Sequence, residues 1–300
     1  MHDYFLRAIA ACVIVGVLCG LVGTLVVLRR RVFFTVAIGH AAFPGAVAAS
    51  IVGWPVWVGA GAGSIALVAI MNALGRVRRQ GEEAIAGIIF TGGFALGIAI
   101  ASLAPSSATQ VESLLTGSIL TLPDETLIML GAWTLIIAVL LLLLRRRILF
   151  STADAIGYGA AGFSERRLDA GLLAVIAISV ALLIPALGTM LSVALLAGPA
   201  ASALLLTKKW ERMVPLTVAG SVLCAIAGLF ASRWFGFAAG GSIAVAAGVL
   251  YLVALALRAV GVGKGSATVL RARADRESAE DDQERRVTMG ERSAVGGANA

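Results

Sequence analysis

Charge is scarce in this chain: Asp, Glu, Lys and Arg make up 14% of its 300 residues, against 59% hydrophobic residues and a mean hydropathy of +0.96. A soluble domain carries about 25% charged residues, so the deficit excludes a water-soluble globule and implies a membrane protein. Histidine occurs twice, at His2 and His40. Two histidines so far apart exclude a His-Glu-x-x-His metalloprotease helix, and an intramembrane serine protease would have to pair His40 with Ser118. The three cysteines, Cys12, Cys19 and Cys224, all fall inside apolar runs. A thiol there behaves as a small buried hydrophobe, so neither disulfides nor a metal cage are expected. No Asp or Glu lies at the centre of an apolar run, which argues against a secondary transporter driven by protons through intramembrane carboxylates. A nucleotide-binding loop is also missing. The stretch Gly261 to Ser266 has a Gly-Lys pair, but Arg258 and Gly265 stand where a Walker loop needs glycine and a hydroxyl residue. The chain reads as a non-enzymatic subunit without its own ATPase.

What is present is a rhythm of basic clusters between long apolar stretches: Arg29 to Arg31, Arg76 to Arg79, Arg145 to Arg147 with Arg166 and Arg167, Lys208 to Arg212, and Arg258 with Lys264. The net charge of +7 sits beside apolar segments, where it sets topology and meets anionic membrane lipid; nucleic acid is not an expected partner. Spanning the hydrocarbon layer takes about 20 apolar residues, and helices are the element that satisfies its own backbone there. The fold class is therefore all-α, a polytopic membrane bundle of eight to nine helices. Nine candidates run from 5 to 28, 34 to 53, 55 to 74, 84 to 103, 126 to 144, 170 to 187, 189 to 206, 215 to 234 and 241 to 260. The first reads as a retained span rather than a cleaved signal peptide, since membrane pattern continues after it. Placing every basic cluster inside gives an external N-terminus and a cytoplasmic C-terminus. Arg233, beside Trp234 at an outer end, is the exception and is expected to snorkel. A transmembrane domain is expected over residues 1–263, followed by a charged tail, 264–300, too poor in apolar residues to order itself.

Two segments do not span. The short apolar stretch from Glu112 to Pro123 predicts a re-entrant or interfacial helix. The segment from Ser151 to Asp169, with Gly157, Gly159, Gly162 and the run Glu165, Arg166 and Arg167, is the longest internal loop and is expected to meet a partner. Among polar groups inside spans, His40 leads. An imidazole without a partner in hydrocarbon costs on the order of several kcal/mol, so it is expected to face a cavity, a ligand or a helix partner. Either it lines a pathway with Pro44 and Gly45, which predict a bend or break one turn later, or it is satisfied by a neighbouring carbonyl. Asn72, Glu82 and Glu83 sit near helix ends, where boundary water and the helix dipole account for them.

Several stretches together resemble the permease subunit of bacterial zinc or manganese importers of the ATP-binding-cassette class, over roughly residues 8–258. They are Gly20 to Arg30, Ile38-Gly-His-Ala-Ala-Phe-Pro-Gly45, Glu83 to Phe90, Leu114 to Leu120, Val193 to Ala203 and Gly240 to Ile243. The resemblance implies two cytoplasmic ATPase subunits that hold the ATP, an extracytoplasmic metal-binding protein, and a second permease copy in a bacterial cytoplasmic membrane. It implies no cofactor bound by this chain, with zinc or manganese as the transported ion. His40 would be the pathway ligand, Pro44, Gly45 and Pro199 would shape the pathway, and Ala155, Gly157, Gly159, Gly162, Arg166 and Arg167 would couple to the ATPase. The sequence departs from the family in three places. Val36 stands where the family has an Asp four residues before the histidine, Gly39 replaces a serine, and Ser151-Thr152 replaces an Asp-Pro. Losing that oxygen ligand favours zinc, an imidazole metal, over manganese. Importers of iron chelates or a cobalamin-like cofactor share the plan and would have no need of His40.

Overall fold

A computed structural model describes residues 2–74, 82–103, 114–115, 117, 119, 122–207, 209–236 and 238–259. The chain divides into two compact units, Met1–Ala254 and Leu255–Ala300. The expected charged tail, 264–300, and the basic cluster at Arg76 to Arg79 lie outside the described residues. Among the described residues every regular element is helical: α1 (His2–Leu28), α2 (Val32–Val52), α3 (Val56–Leu74), α4 (Glu82–Ser102), α5 (Asp124–Ala153), α6 (Ala155–Ala160), α7 (Glu165–Leu206), α8 (Trp210–Phe235) and α9 (Ala239–Ala259). Six described stretches are long and apolar enough to cross a membrane, in α1, α2, α5, the first half of α7, α8 and α9, and shorter apolar stretches lie in α3, α4 and the second half of α7. The expected polytopic helical bundle is what the chain forms.

α1 is the helix around which the first unit packs, lying against α5, α7 and α8. Cys12, Val15, Leu18, Cys19, Val22, Leu25 and Val26 are buried along its length. Small residues permit this. Gly16 and Gly20 meet the backbone of Val222 and Val218 on α8, and Gly23 meets that of Leu196 on α7, so main chains touch where side chains would hold them apart. A second cluster gathers α2, α3 and α4 around Phe43, Val47 and Ala60. There Gly45 and Gly59 face each other so closely that a Cβ on either would run into the other's carbonyl.

Two features of the helices differ from expectation. The fifth span was expected to stop at Leu144, yet α5 runs through Arg145 to Arg147 and ends at Ala153. Hydropathy marks where lipid ends, whereas backbone hydrogen bonding marks where a helix ends, and 30 residues make a rod of about 45 Å. α2 is helical through Pro44, so of the bend or break expected at Pro44 and Gly45, the break is absent. Proline removes one hydrogen bond, and packing of α2 against α3, α4 and α7 holds the helix together regardless. The break lies instead in α7, at Gly188, with φ 77° and ψ 169°, between the two halves expected as separate spans.

Candidate functional site

His40 lies on the inward face of α2, 6% exposed. Its ring meets two phenylalanines of α4 edge-on, Phe90 at 4.2 Å and Phe94 at 5.4 Å between centroids, and Phe94 stacks on Phe43 at 5.6 Å. Gly93 of α4 lets that wall approach, since a Cβ there would stand 3.1 Å from the Cα of Ala41. Among the described residues, Nδ1 of His40 is buried with no hydrogen-bond partner. Among the described residues no neighbouring carbonyl accepts from Nδ1. Pro44 adds to this: having no N–H, it supplies nothing to the carbonyl of His40 one turn earlier.

The other side of this site is the break in α7. Gly39 stands against Thr189, with a would-be Cβ 3.3 Å from the Thr189 carbonyl oxygen. Thr189 is fully buried, and its hydroxyl oxygen also has no partner among the described residues. The break is sealed from the short apolar segment. Gly117, at φ 72°, lies on the backbone of Leu187 and Gly188, and a Cβ on Gly188 would enter the carbonyl of Leu115. Leu114, Ile119 and Leu122 are buried around it. The described residues of the segment expected as a re-entrant or interfacial helix thus cover the α7 break, and Thr189, Gly188 and Gly117 are site residues that sequence reasoning missed. Their signal was there: Leu-Gly-Thr between two apolar halves, and a glycine inside a short apolar loop.

Pro199 lies in the second half of α7 against Gly220 of α8, a packing contact rather than part of the His40 wall. Ser118 and the side chains of Asn72, Glu82 and Glu83 lie outside the described residues. Among the described residues no three of His, Cys, Asp and Glu come together as a metal cage. A cavity of about 410 Å³ opens elsewhere, between α1, α5 and α8, lined by Leu21, Leu141, Arg145, Trp210, Glu211 and Pro215. It has no imidazole or thiol in its wall.

The segment from Ser151 to Asp169, expected as a loop, is largely helical. It comprises the last turn of α5, the short α6, a turn at Gly162 with φ 82°, and the start of α7. Asp154 caps α6 by accepting the N–H of Gly157 at 2.8 Å, and Ser164 caps α7 by accepting the N–H of Arg167 at 3.4 Å. Ala155 opens α6 and Gly159 lies on its exposed side; the side chain of Arg166 is outside the described set. Tyr158 is buried between Phe150 and Phe163, with the Arg147 guanidinium over the Phe163 ring at 5.4 Å. These aromatics pin α6 to α5 and escaped the sequence reading, because a six-residue helix has no period of its own to betray its buried face.

Fold and site together define a polytopic helical membrane protein with a buried polar point beside a broken helix. The ABC 3 transport family model matches residues 1–258, and the chain belongs to that family. It is 28% identical to the manganese transport system membrane protein MntC of Halalkalibacterium halodurans over 84% of this chain and 87% of that protein. It is likewise 28% identical to a probable iron transport system membrane protein of Haemophilus influenzae, over 85% of this chain and 93% of that one. Among solved structures, PsaBC from Streptococcus pneumoniae in complex with Fab matches with a TM-score of 0.77 at 26% identity, covering 84% of this chain and 90% of that one.

Proposed function

We propose that this chain is the permease subunit of an ATP-driven importer of divalent metal ions, with manganese as the cargo. The observation that carries the reading is the buried, unpaired Nδ1 of His40 beside the α7 break, in a chain of the ABC 3 transport family. A buried imidazole nitrogen without a partner in an apolar wall is costly unless something visits it. His40 offers a nitrogen ligand and the Thr189 hydroxyl offers oxygen, so an ion could pass by brief ligand exchange rather than be held.

A lone imidazole without a carboxylate ranks zinc ahead of manganese. The names of relatives matching 84% and 85% of the chain, one for manganese and one for iron, support the reverse order, and zinc is kept as the second reading on ligand chemistry. In this scheme the N-terminus is external and the C-terminus cytoplasmic, as the basic clusters dictate. ATP on a separate subunit biases the permease between outward-open and inward-open states. A second permease copy completes the pathway, and an external binding protein delivers the ion.

Cellular manganese, iron and zinc measured by mass spectrometry test this in a metal-starved deletion strain carrying wild type or His40→Ala. Wild type restores manganese, and His40→Ala restores about tenfold less at equal membrane level, as loss of a metal-site group does elsewhere. Restoration of zinc alone would move the assignment to zinc, and full restoration by His40→Ala would remove His40 from the pathway.

A further inference from the structure

The basic cluster between α1 and α2 has more to do than set topology. Arg29 is 9% exposed at its side chain, far too buried for a residue that only needs to sit in water at the membrane boundary. Its guanidinium donates to Ser151 Oγ at 3.1 Å and lies 3.9 Å from Asp169 Oδ1. Arg31 donates to Asp169 Oδ2 at 3.1 Å. Between them Arg30 is held at φ 53°, the one described non-glycine residue with positive φ. That turn lets both neighbours reach the same place, and a left-handed non-glycine residue persists only where its surroundings enforce it.

Ser151 and Asp169 are the two ends of the segment that holds α6. Arg29 touches both ends, and Arg31 touches the second. Arg31 also leads directly into α2, whose His40 is nine residues on, about 13 Å along the helix. Any push on α6 or on the start of α7 therefore arrives at the head of the helix that carries His40. The aromatic contacts of Tyr158 reach Phe150 of α5 and Phe163 in the turn before α7, and neither lies on α2, so they do not provide this link.

We propose that Asp169, clasped by Arg31 and Arg29, is a positioning residue that transmits movement of the α6 segment to α2. This rests on the reading of the chain as an ATP-driven permease. The clasp is charge-assisted and half-desolvated, with Asp169 24% exposed, so removing one partner leaves the other poorly solvated and loosens the joint. The Arg31 to Asp169 contact is the working one, being shorter by 0.8 Å than the Arg29 contact (3.9 Å against 3.1 Å).

The test uses the complete transporter in lipid vesicles, with Mn(II) as the probe, reading ATP hydrolysed per ion taken up. Asp169→Asn and Arg31→Gln each raise that ratio about tenfold, a typical size for coupling between sites, while the double variant is no worse than either single one. Asp169→Glu, which keeps the charge, stays near wild type. Hydrogen exchange by mass spectrometry gives a second reading that needs no cargo. ATP alters exchange in both 151–169 and the first turns of α2 in wild type, and in 151–169 alone in Asp169→Asn. An unchanged ratio, an α2 response that survives Asp169→Asn, or variants that only lower the amount of assembled complex at a wild-type ratio would overturn the proposal. Failure of the metal-import reading looks different: wild type moves no Mn(II), and the exchange experiment still decides the clasp.

Discussion

Gly188→Ala attacks the break in α7 with one methyl group, and its cost can be worked from two separate terms. At φ 77° and ψ 169° the backbone is in a region essentially reserved for glycine, which costs an alanine about 1–3 kcal/mol. The added Cβ also points into the Leu115 carbonyl and stands 2.6 Å from the Leu115 carbonyl carbon, and overpacking of this kind costs about 1–3 kcal/mol more. The sum is roughly 2–6 kcal/mol, enough to lower the melting temperature of the purified protein by about 5 °C or more. The control is Gly61→Ala in α3, where a Cβ meets nothing within 4 Å. There the helix gains about 0.5–1 kcal/mol from better propensity. Thermal unfolding followed by circular dichroism of both variants in the same detergent gives the comparison. If Gly188→Ala melts with Gly61→Ala rather than well below it, the break is not a required feature, and the reasoning that sets a broken helix beside His40 fails with it.

Two further outcomes follow from packing and charge. Gly45→Val drives a branched side chain into the backbone of α3 at Gly59, so it destabilises by about 1–3 kcal/mol and separates α2 from α3, read as a lower melting point and faster proteolysis. Asp124→Asn removes an ion pair with Arg7 whose side chains are 41% and 73% exposed. It changes stability by less than about 0.5 kcal/mol, because solvent screens such pairs; a larger loss in the same melting assay would mean the pair anchors α5.

The helices were legible for a simple reason: lipid-spanning length and the basic residues that bound it are properties of consecutive residues. Expected and observed spans agree within a few residues for α1 to α4, α8 and α9, and the expected gap between residues 187 and 189 coincides with the Gly188 break. Where the expectation missed, it had used a local rule that neighbours overrode. Pro44 ordinarily disturbs a helix, but α2 is enclosed by α3, α4 and α7 and stays helical. Leu144 ends an apolar run, but nothing stops the α5 hydrogen bonds until Asp154.

His40 could be picked from the sequence alone, since a single imidazole in an apolar span is expensive wherever it lies. Its surroundings could not. The phenylalanine wall comes from α4, and Thr189 from the far side of α7. The clasp joins Arg29 and Arg31 to residues more than a hundred positions away. Composition and charge rhythm determined by themselves that this chain is a membrane helix bundle, because lipid tests every residue against the same energy scale, one segment at a time. The tertiary structure decided which described polar atoms are left without partners, what covers the break in α7 and what holds the α6 segment to α2, because each of those depends on which helices touch, and no run of neighbouring residues carries that information.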